Sequence, residues 1–142
     1  NALADQNIPV YGDGRNVRDW IYVDDHCRAI LDIIERGTSG GTYNIGARNE
    51  RRNIEVAESV LDAVGKPRSL ITFVEDRLGH DRRYAIDPAK IENELGWHTR
   101  ETWETGLEKT VRWYMDNQGW TERIRSGAYR DYYEKQYGMK IA

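Results

Sequence analysis

The sequence predicts an α/β fold. Three observations carry that expectation. A strand-like stretch, a helix and a second strand-like stretch follow one another between Val17 and Gly46, about the size of a βαβ unit. An apolar run at Leu70–Val74 ends in a dense polar loop, Asp76 to Tyr84, where α/β proteins usually hold ligands. Elsewhere apolar residues recur at helical spacing.

Asn1 to Gln6 reads as the tail of a helix belonging to a longer chain, and Ile8–Tyr11 as short and extended. Gly12-Asp13-Gly14 is a turn, because glycine tolerates positive φ. Val17–Val23 carries the aromatic and β-branched bulk of a strand, with Trp20, Ile21, Tyr22 and Val23. Asp24 then caps a helix whose buried face is Cys27, Ile30, Leu31 and Ile34, with Ala29 and Ile33 beside it. Gly37 ends that helix, and Thr42–Gly46 is the second strand. Asn53 is a good N-cap for a helix with Ile54, Ala57, Val60, Leu61 and Val64 on one face, stopped by Gly65 and Pro67. After the strand and polar loop, Asp87-Pro88 opens a short helix holding Ile91 and Leu95 and closed by Gly96. Thr102 caps a longer helix with Trp103, Leu107, Val111 and Tyr114 on one side. Two short helices around Gly127 follow, with an aromatic stripe suited to packing.

The chain has 142 residues, enough for one domain with a proper core. Its net charge of -3 weighs against a nucleic-acid binder, which usually carries a basic excess. Locally the balance differs: Arg48, Arg51 and Arg52 cluster, as do Arg77, Arg82 and Arg83, and a small anion needs only local charge. The one cysteine, Cys27, forms no internal disulfide, which fits a reducing, cytoplasmic compartment. No apolar run reaches the roughly 20 residues that span a membrane, so no membrane partner is expected.

The chemistry narrows by elimination. His26, His80 and His98 lack zinc-like spacing, so no metal is expected. Asp24-Asp25-His26 opens a helix, where aspartates offset the dipole, and that explains it better than acid–base work. There is no Gly-x-Ser-x-Gly elbow, no Gly-x-Gly-x-x-Gly fingerprint, and no tyrosine with a lysine four places on. What remains are three spots near predicted strands: Arg18, Asn53 with Arg51 and Arg52, and the Arg77–Tyr84 loop. Arginine forks suit phosphate because they offer paired donors in a plane. If the spots converge, they make a pocket for a diphosphate, with Pro9-Val10-Tyr11 offering backbone and a ring edge to a base. Taken singly, Arg18 also reads as an exposed strand residue, Asn53 as an N-cap only, and the loop as a solvated surface loop.

At these residues the chain resembles the dTDP-glucose 4,6-dehydratase family, within the extended short-chain dehydrogenases/reductases. The matching text is Pro9-Val10-Tyr11-Gly12-Asp13-Gly14, Val17-Arg18-Asp19-Trp20 with Tyr22-Val23 and Asp25-His26, and Thr42-Tyr43-Asn44-Ile45-Gly46. It continues with Asn49-Glu50, Asn53, and Gly79-His80-Asp81 with Arg83-Tyr84, the most selective stretch. Glu94-Leu95-Gly96-Trp97, Thr110-Val111 with Trp113-Tyr114, and Ser126-Gly127-Ala128-Tyr129 extend it along nearly the whole chain. The family usually has proline where this chain has Leu78.

The resemblance implies a C-terminal portion, with residues 17–46 at the edge of a nucleotide-fold sheet and the rest in a small mixed α/β substrate-binding domain. It implies that Pro9, Val10 and Tyr11 line a thymidine. Arg18 and Asn53 would contact the nucleotide and its phosphates. Asp76, Arg77, Leu78, Gly79 and His80 would close over the diphosphate, with Tyr84 beside them. The family reaction uses bound NAD, but the NAD-binding domain, the Tyr-Lys pair and the acidic dehydration pair would all lie upstream. No catalytic residue and no cofactor site are therefore expected in these 142 residues, nor turnover by them alone. Separated from its sheet, the chain would leave strand edges and an apolar helix face uncovered, so a homo-oligomer, swapped dimers included, is expected. Two rivals remain: another nucleotide-sugar epimerase or decarboxylase, and a non-catalytic interaction module.

Overall fold

The computed structural model describes residues 1–127. The tyrosines from Tyr129 to Tyr137, and the second helix expected around Gly127, lie outside the described residues. A short 3-10 turn at Ala2–Ala4 precedes β1 (Ile8–Tyr11) and β2 (Val17–Asp19). Next come α1 (Val23–Arg36), β3 (Glu50–Arg52) and α2 (Asn53–Val64), then β4 (Ile71–Val74). Three helices follow: α3 (Ala89–Leu95), α4 (Trp103–Asp116) and α5 (Gln118–Arg125).

Two small sheets organise these elements. β1 and β4 pair in parallel, Ile8 opposite Ile71 and Tyr11 opposite Val74. Parallel neighbours need a crossover, and here it carries β2, α1, β3 and α2. β2 and β3 pair antiparallel, Val17 opposite Arg52 and Asp19 opposite Glu50. α2 packs against β1 on one side and α4 on the other, burying Val10, Ala57, Leu61 and Val111. It begins one residue earlier than an Asn53 cap implies. Arg52 is the cap, its N–H donating 2.8 Å to Glu55 Oε2, and Asn53 is the first helical residue. Gly65, at φ 66°, ends it as expected.

β2 stops at Asp19, short of the expected Val23. The Asp19 carboxylate accepts the N–H groups of Ala47 and Asn49, both at 2.8 Å, and Trp20 then leans edge-on to Trp103 with centroids 6.1 Å apart. Bulky residues made Trp20–Tyr22 look like strand, but after Trp20 N–H donates to the Asn49 carbonyl at 3.1 Å the ladder ends. Thr42–Gly46 differs for the same reason. Tyr43 and Ile45 pack on the core while Asn44 is exposed, so the alternation is real. Among the described residues no strand pairs with them, and the expected strand-helix-strand unit is a strand and a helix followed by an extended segment.

The largest correction concerns α1. Its buried stripe is Asp25, Ala29 and the half-buried Ile33, set against Ile91, Leu95 and Trp97. The face expected to be buried is exposed: Cys27, Ile30, Leu31 and Ile34, with Val23. Ala29 has no accessible surface, and its small side chain lets α3 approach closely. Polar bonds then fix the rotation. Arg36 donates to the Leu95 carbonyl at 2.8 Å and Arg28 to the His98 carbonyl at 2.6 Å, serving acceptors at and beyond the end of α3.

Asp25 locks the same arrangement. Neither it nor Asp24 makes a cap bond to its own helix. Its carboxylate, 3% exposed, accepts the N–H groups of Arg100 and Glu101 at 3.0 Å and Arg28 Nη2 at 2.7 Å. Burial raises its pKa, but these donors outweigh burial and hold it below the usual aspartate value. Removing the carboxylate takes the acceptor from the Arg100 and Glu101 N–H groups and one of two acceptors from Arg28. Asp25→Ala should therefore cost roughly 2–4 kcal/mol in urea unfolding at pH 7. Because the folded pKa is lowered, the contribution is complete above about pH 4. It is lost as pH falls through the lowered value. The gap between Asp25→Ala and the parent chain should therefore shrink when the same unfolding is repeated near pH 3.

Candidate functional site

The residues singled out from the sequence gather where β1, β2 and the start of α2 meet the loop after β4. Gly12 N–H donates to the Val74 carbonyl at 2.9 Å, extending the parallel pair into the turn. The loop returns along β2. Val17 N–H donates to the Arg82 carbonyl at 2.8 Å, and Tyr84 N–H to the Val17 carbonyl at 3.0 Å. Strand-like pairing thus lays Asp81–Tyr84 beside Val17–Arg18.

Tyr11, Asp76 and His80 form one corner. His80 Nδ1 lies 2.6 Å from Asp76 Oδ1, and its ring, nearly buried, meets Tyr11 edge-on with centroids 6.0 Å apart. Asp76 also accepts Arg77 N–H at 2.9 Å. The His80 bond, followed by that N–H, holds its carboxyl below the usual range. Gly12, at φ 56°, stands against this carboxylate. A Cβ there would come 2.8 Å from Asp76 Oδ2, so both backbone shape and space demand glycine.

Arg18 and Tyr84 form the second corner. The guanidinium lies over the Tyr84 ring at 4.3 Å, donating to the carbonyls of Val17 at 2.7 Å and Asp81 at 3.0 Å. The Tyr84 hydroxyl donates to Asp81 Oδ2, which raises the phenol pKa against the opposing charges of Arg18 and Arg77.

The remaining basic residues have settled partners. Arg82 grips Asp13 at 2.9 and 3.3 Å; with Arg15 N–H this brings Asp13 down to about 2. Arg83 pairs with Glu50 at 2.6 and 2.8 Å. Arg48 pairs with Glu92 at 2.8 Å, Arg51 with Glu104 at 3.8 Å, and Arg52 with Glu55 at 3.7 Å. Among the described residues, Arg18 and Arg77 form no ion pair with a carboxylate. Sequence clustering of basic residues could not show this, because the neutralising acids are mostly far along the chain.

Not every expected residue presents a side chain. Val10 is core at 5% exposure and presents no side chain to the site; Pro9 and Tyr11 on either side are exposed. Asn53 joins through its backbone, donating to the Asn16 carbonyl at 2.9 Å. Leu78 is wholly exposed. None of the three best-formed cavities is lined by Arg18, Asn53 or Arg77. The largest, about 950 Å³, lies among Trp20, Tyr22, Val60, Trp103 and Trp113. Asn16 and Asp13 are structural members that the sequence did not mark, since each looks like an ordinary polar loop residue, and Asp81, part of the marked loop, takes its place through its carbonyl as well as its carboxylate.

The sequence profile described as GDP-mannose 4,6 dehydratase matches residues 1–110. The chain belongs to that family. Among curated proteins this family member is 47% identical to dTDP-glucose 4,6-dehydratase from Escherichia coli, over 96% of its own length and 40% of the relative's. Among solved structures it is similar to dTDP-glucose 4,6-dehydratase from Bacillus anthracis in complex with NAD. The TM-score there is 0.79 and the identity 48%, over 84% of this chain and 38% of the other. It also resembles UDP-glucose 4-epimerase from Thermotoga maritima with UDP-glucose, at TM-score 0.76 and 29% identity, over 82% and 37%. The resemblance to the dTDP-glucose 4,6-dehydratases and the α/β class both stand. The chain spans about 40% of the length of the curated relatives it matches, and that share does not assign it to either end of them. Among the described residues no helix is long and apolar enough to cross a membrane.

Residues 78 and 79 are the central pair of a turn, and Gly79 has φ 69°. A positive φ at the second central position is the type II pattern, which favours proline at the first. No hydrogen bond from Leu78 N–H is present among the described residues. Leu78→Pro should therefore stabilise the chain by about 0.4–1 kcal/mol by restricting the unfolded state. Thermal or urea unfolding of the single variant checks this.

Proposed function

We propose that this chain is the nucleotide-sugar-binding portion of a cytoplasmic dTDP-glucose 4,6-dehydratase. The full-length enzyme would convert dTDP-glucose to dTDP-4-keto-6-deoxyglucose and water with NAD. One observation supports the binding role above the others. Five arginines are neutralised by carboxylates, while Arg18, over the Tyr84 ring, and Arg77, in the same loop as Tyr84, are not. Two unneutralised guanidiniums beside one loop make a place for a diphosphate. On this reading Pro9, Val10 and Tyr11 face the base, and Arg18 and Asn53 hold the nucleotide and its phosphates. Asp76, Arg77, Leu78, Gly79 and His80 cover the diphosphate, with Tyr84 beneath Arg18.

The residues present do not fit NAD. The Gly12–Gly14 turn leads into β2 rather than a helix N-terminus. The space beside Gly14 is already taken, since a Cβ there would lie 2.8 Å from Val10 Cγ1 and 3.0 Å from Ile54 Cβ. Dinucleotide chemistry belongs, on this reading, to the rest of the full-length enzyme. The exposed α1 stripe of Val23, Cys27, Ile30, Leu31 and Ile34 would pack there. The 142-residue chain alone should then give no 4-keto-6-deoxy product from dTDP-glucose. It should sediment as a homo-oligomer, and a monomer at high dilution would count against that expectation.

Thermal unfolding with dTDP and with UDP separates the readings. Stabilisation by dTDP above UDP supports this one, and the reverse supports an epimerase such as the UDP-glucose relative. Indifference to both supports an interaction module. Calorimetric titration of Arg18→Ala should show dTDP binding weakened by roughly 1.5–3 kcal/mol, the range for a hydrogen bond to a charged group. Unchanged affinity removes Arg18 from the site.

A further inference from the structure

Asn16 is 2% exposed, one of the few polar side chains buried in the core. Burying an amide is costly unless its groups are bonded, so its partners show what the burial achieves. Its carbonyl accepts Asn53 N–H, at the first residue of α2, at 2.9 Å. Its side-chain Nδ2 donates 3.1 Å to the Asp81 carbonyl. That same oxygen accepts Arg18 Nη2 at 3.0 Å. A carbonyl has two lone pairs, and Asp81 gives one to each. Asn16 Oδ1 has no partner among the described residues, so the side chain is held by its donor end alone.

We infer that Asn16 is the positioning residue of the nucleotide site: by holding the Asp81 carbonyl it fixes where the Arg18 guanidinium lies. This rests on the nucleotide reading above. Asn16 does not touch the ligand on this view. It joins β2, the start of α2 and the returning loop at one buried point, and Arg18 takes its direction from the loop carbonyl so held. Without the Nδ2 donor, the Asp81 carbonyl keeps only Arg18 as a partner, and the acceptor that aims Arg18 over Tyr84 is less firmly held although Arg82 and Tyr84 stay bonded to Val17.

The test is a double-mutant cycle on the full 142-residue chain, read by calorimetric titration with dTDP. Asn16→Ala should weaken binding about tenfold, the size of one lost hydrogen bond in a buried network. Asn16→Asp keeps the volume but removes the donor, and should weaken it comparably; it serves if the alanine variant does not fold. In an Arg18→Ala background either change should add little, because both act through one guanidinium. A general loss of stability would instead lower the unfolding midpoint and multiply the two losses. As a reading that needs no variant, the Asn16 side-chain amide resonance should move on dTDP titration together with the Arg18 guanidinium signals. Unchanged affinity in a folded Asn16 variant, losses that multiply, or an amide indifferent to saturating dTDP would each overturn the inference while leaving the nucleotide reading intact. Failure of the unaltered chain to bind dTDP at all overturns the nucleotide reading itself.

Discussion

Val17 gives both of its backbone groups to the loop that follows β4, and the candidate site depends on that pairing. The residue sits in β2 opposite Arg52 of β3, and its N–H and carbonyl reach Arg82 and Tyr84. A loop tethered through its backbone keeps its shape whatever its side chains do. Here those side chains are thereby presented on a short, fixed arc. Tyr84 comes under Arg18, Asp81 turns its carbonyl toward both Arg18 and Asn16, and His80 closes on Tyr11 at the far end. The site is an arrangement of peptide groups first and of charges second.

The charges are sorted by partner rather than by number. Exposed ion pairs such as Arg82–Asp13 and Arg83–Glu50 add little stability in water. Their consequence is selective: they remove positive charge from most of the corner and leave it at Arg18 and Arg77. The same pairs tie the loop to the Gly12–Gly14 turn and to β3, so neutralising and positioning are done by the same bonds. A chain slightly acidic in total can in this way keep two guanidiniums without a carboxylate partner among the described residues.

The helix α1 shows the opposite economy. Its inner stripe is narrow, small and partly ionic, and it is held by Asp25, Arg28 and Arg36 bonding to the backbone around α3. Its outer stripe is the more apolar one and stands open to solvent. Burial of aliphatic side chains is the main favourable term in folding. In α1 that order is reversed, and the rotation is set by the polar bonds to the end of α3 and to the Arg100 and Glu101 backbone.

Much of this protein was legible in its residues alone. β1 and β4, the turn at Gly12–Gly14, the stops at Gly65 and Gly96, the start of α4 at Thr102 and the polar loop all follow from spacing, caps and glycine placement among consecutive residues. Those signals act over a few residues and need nothing distant. Tertiary structure alone decided the rotation of α1 and the early end of β2 at Asp19. It also withheld a ladder from Thr42–Gly46, paired off five arginines, and buried Asn16. Each outcome requires a partner far along the chain: Ile91 for Ala29, Ala47 and Asn49 for Asp19, Glu50 for Arg83, Asp81 for Asn16. Hydrophobic period tells which residues share a face, and only packing tells which of two faces is turned inward.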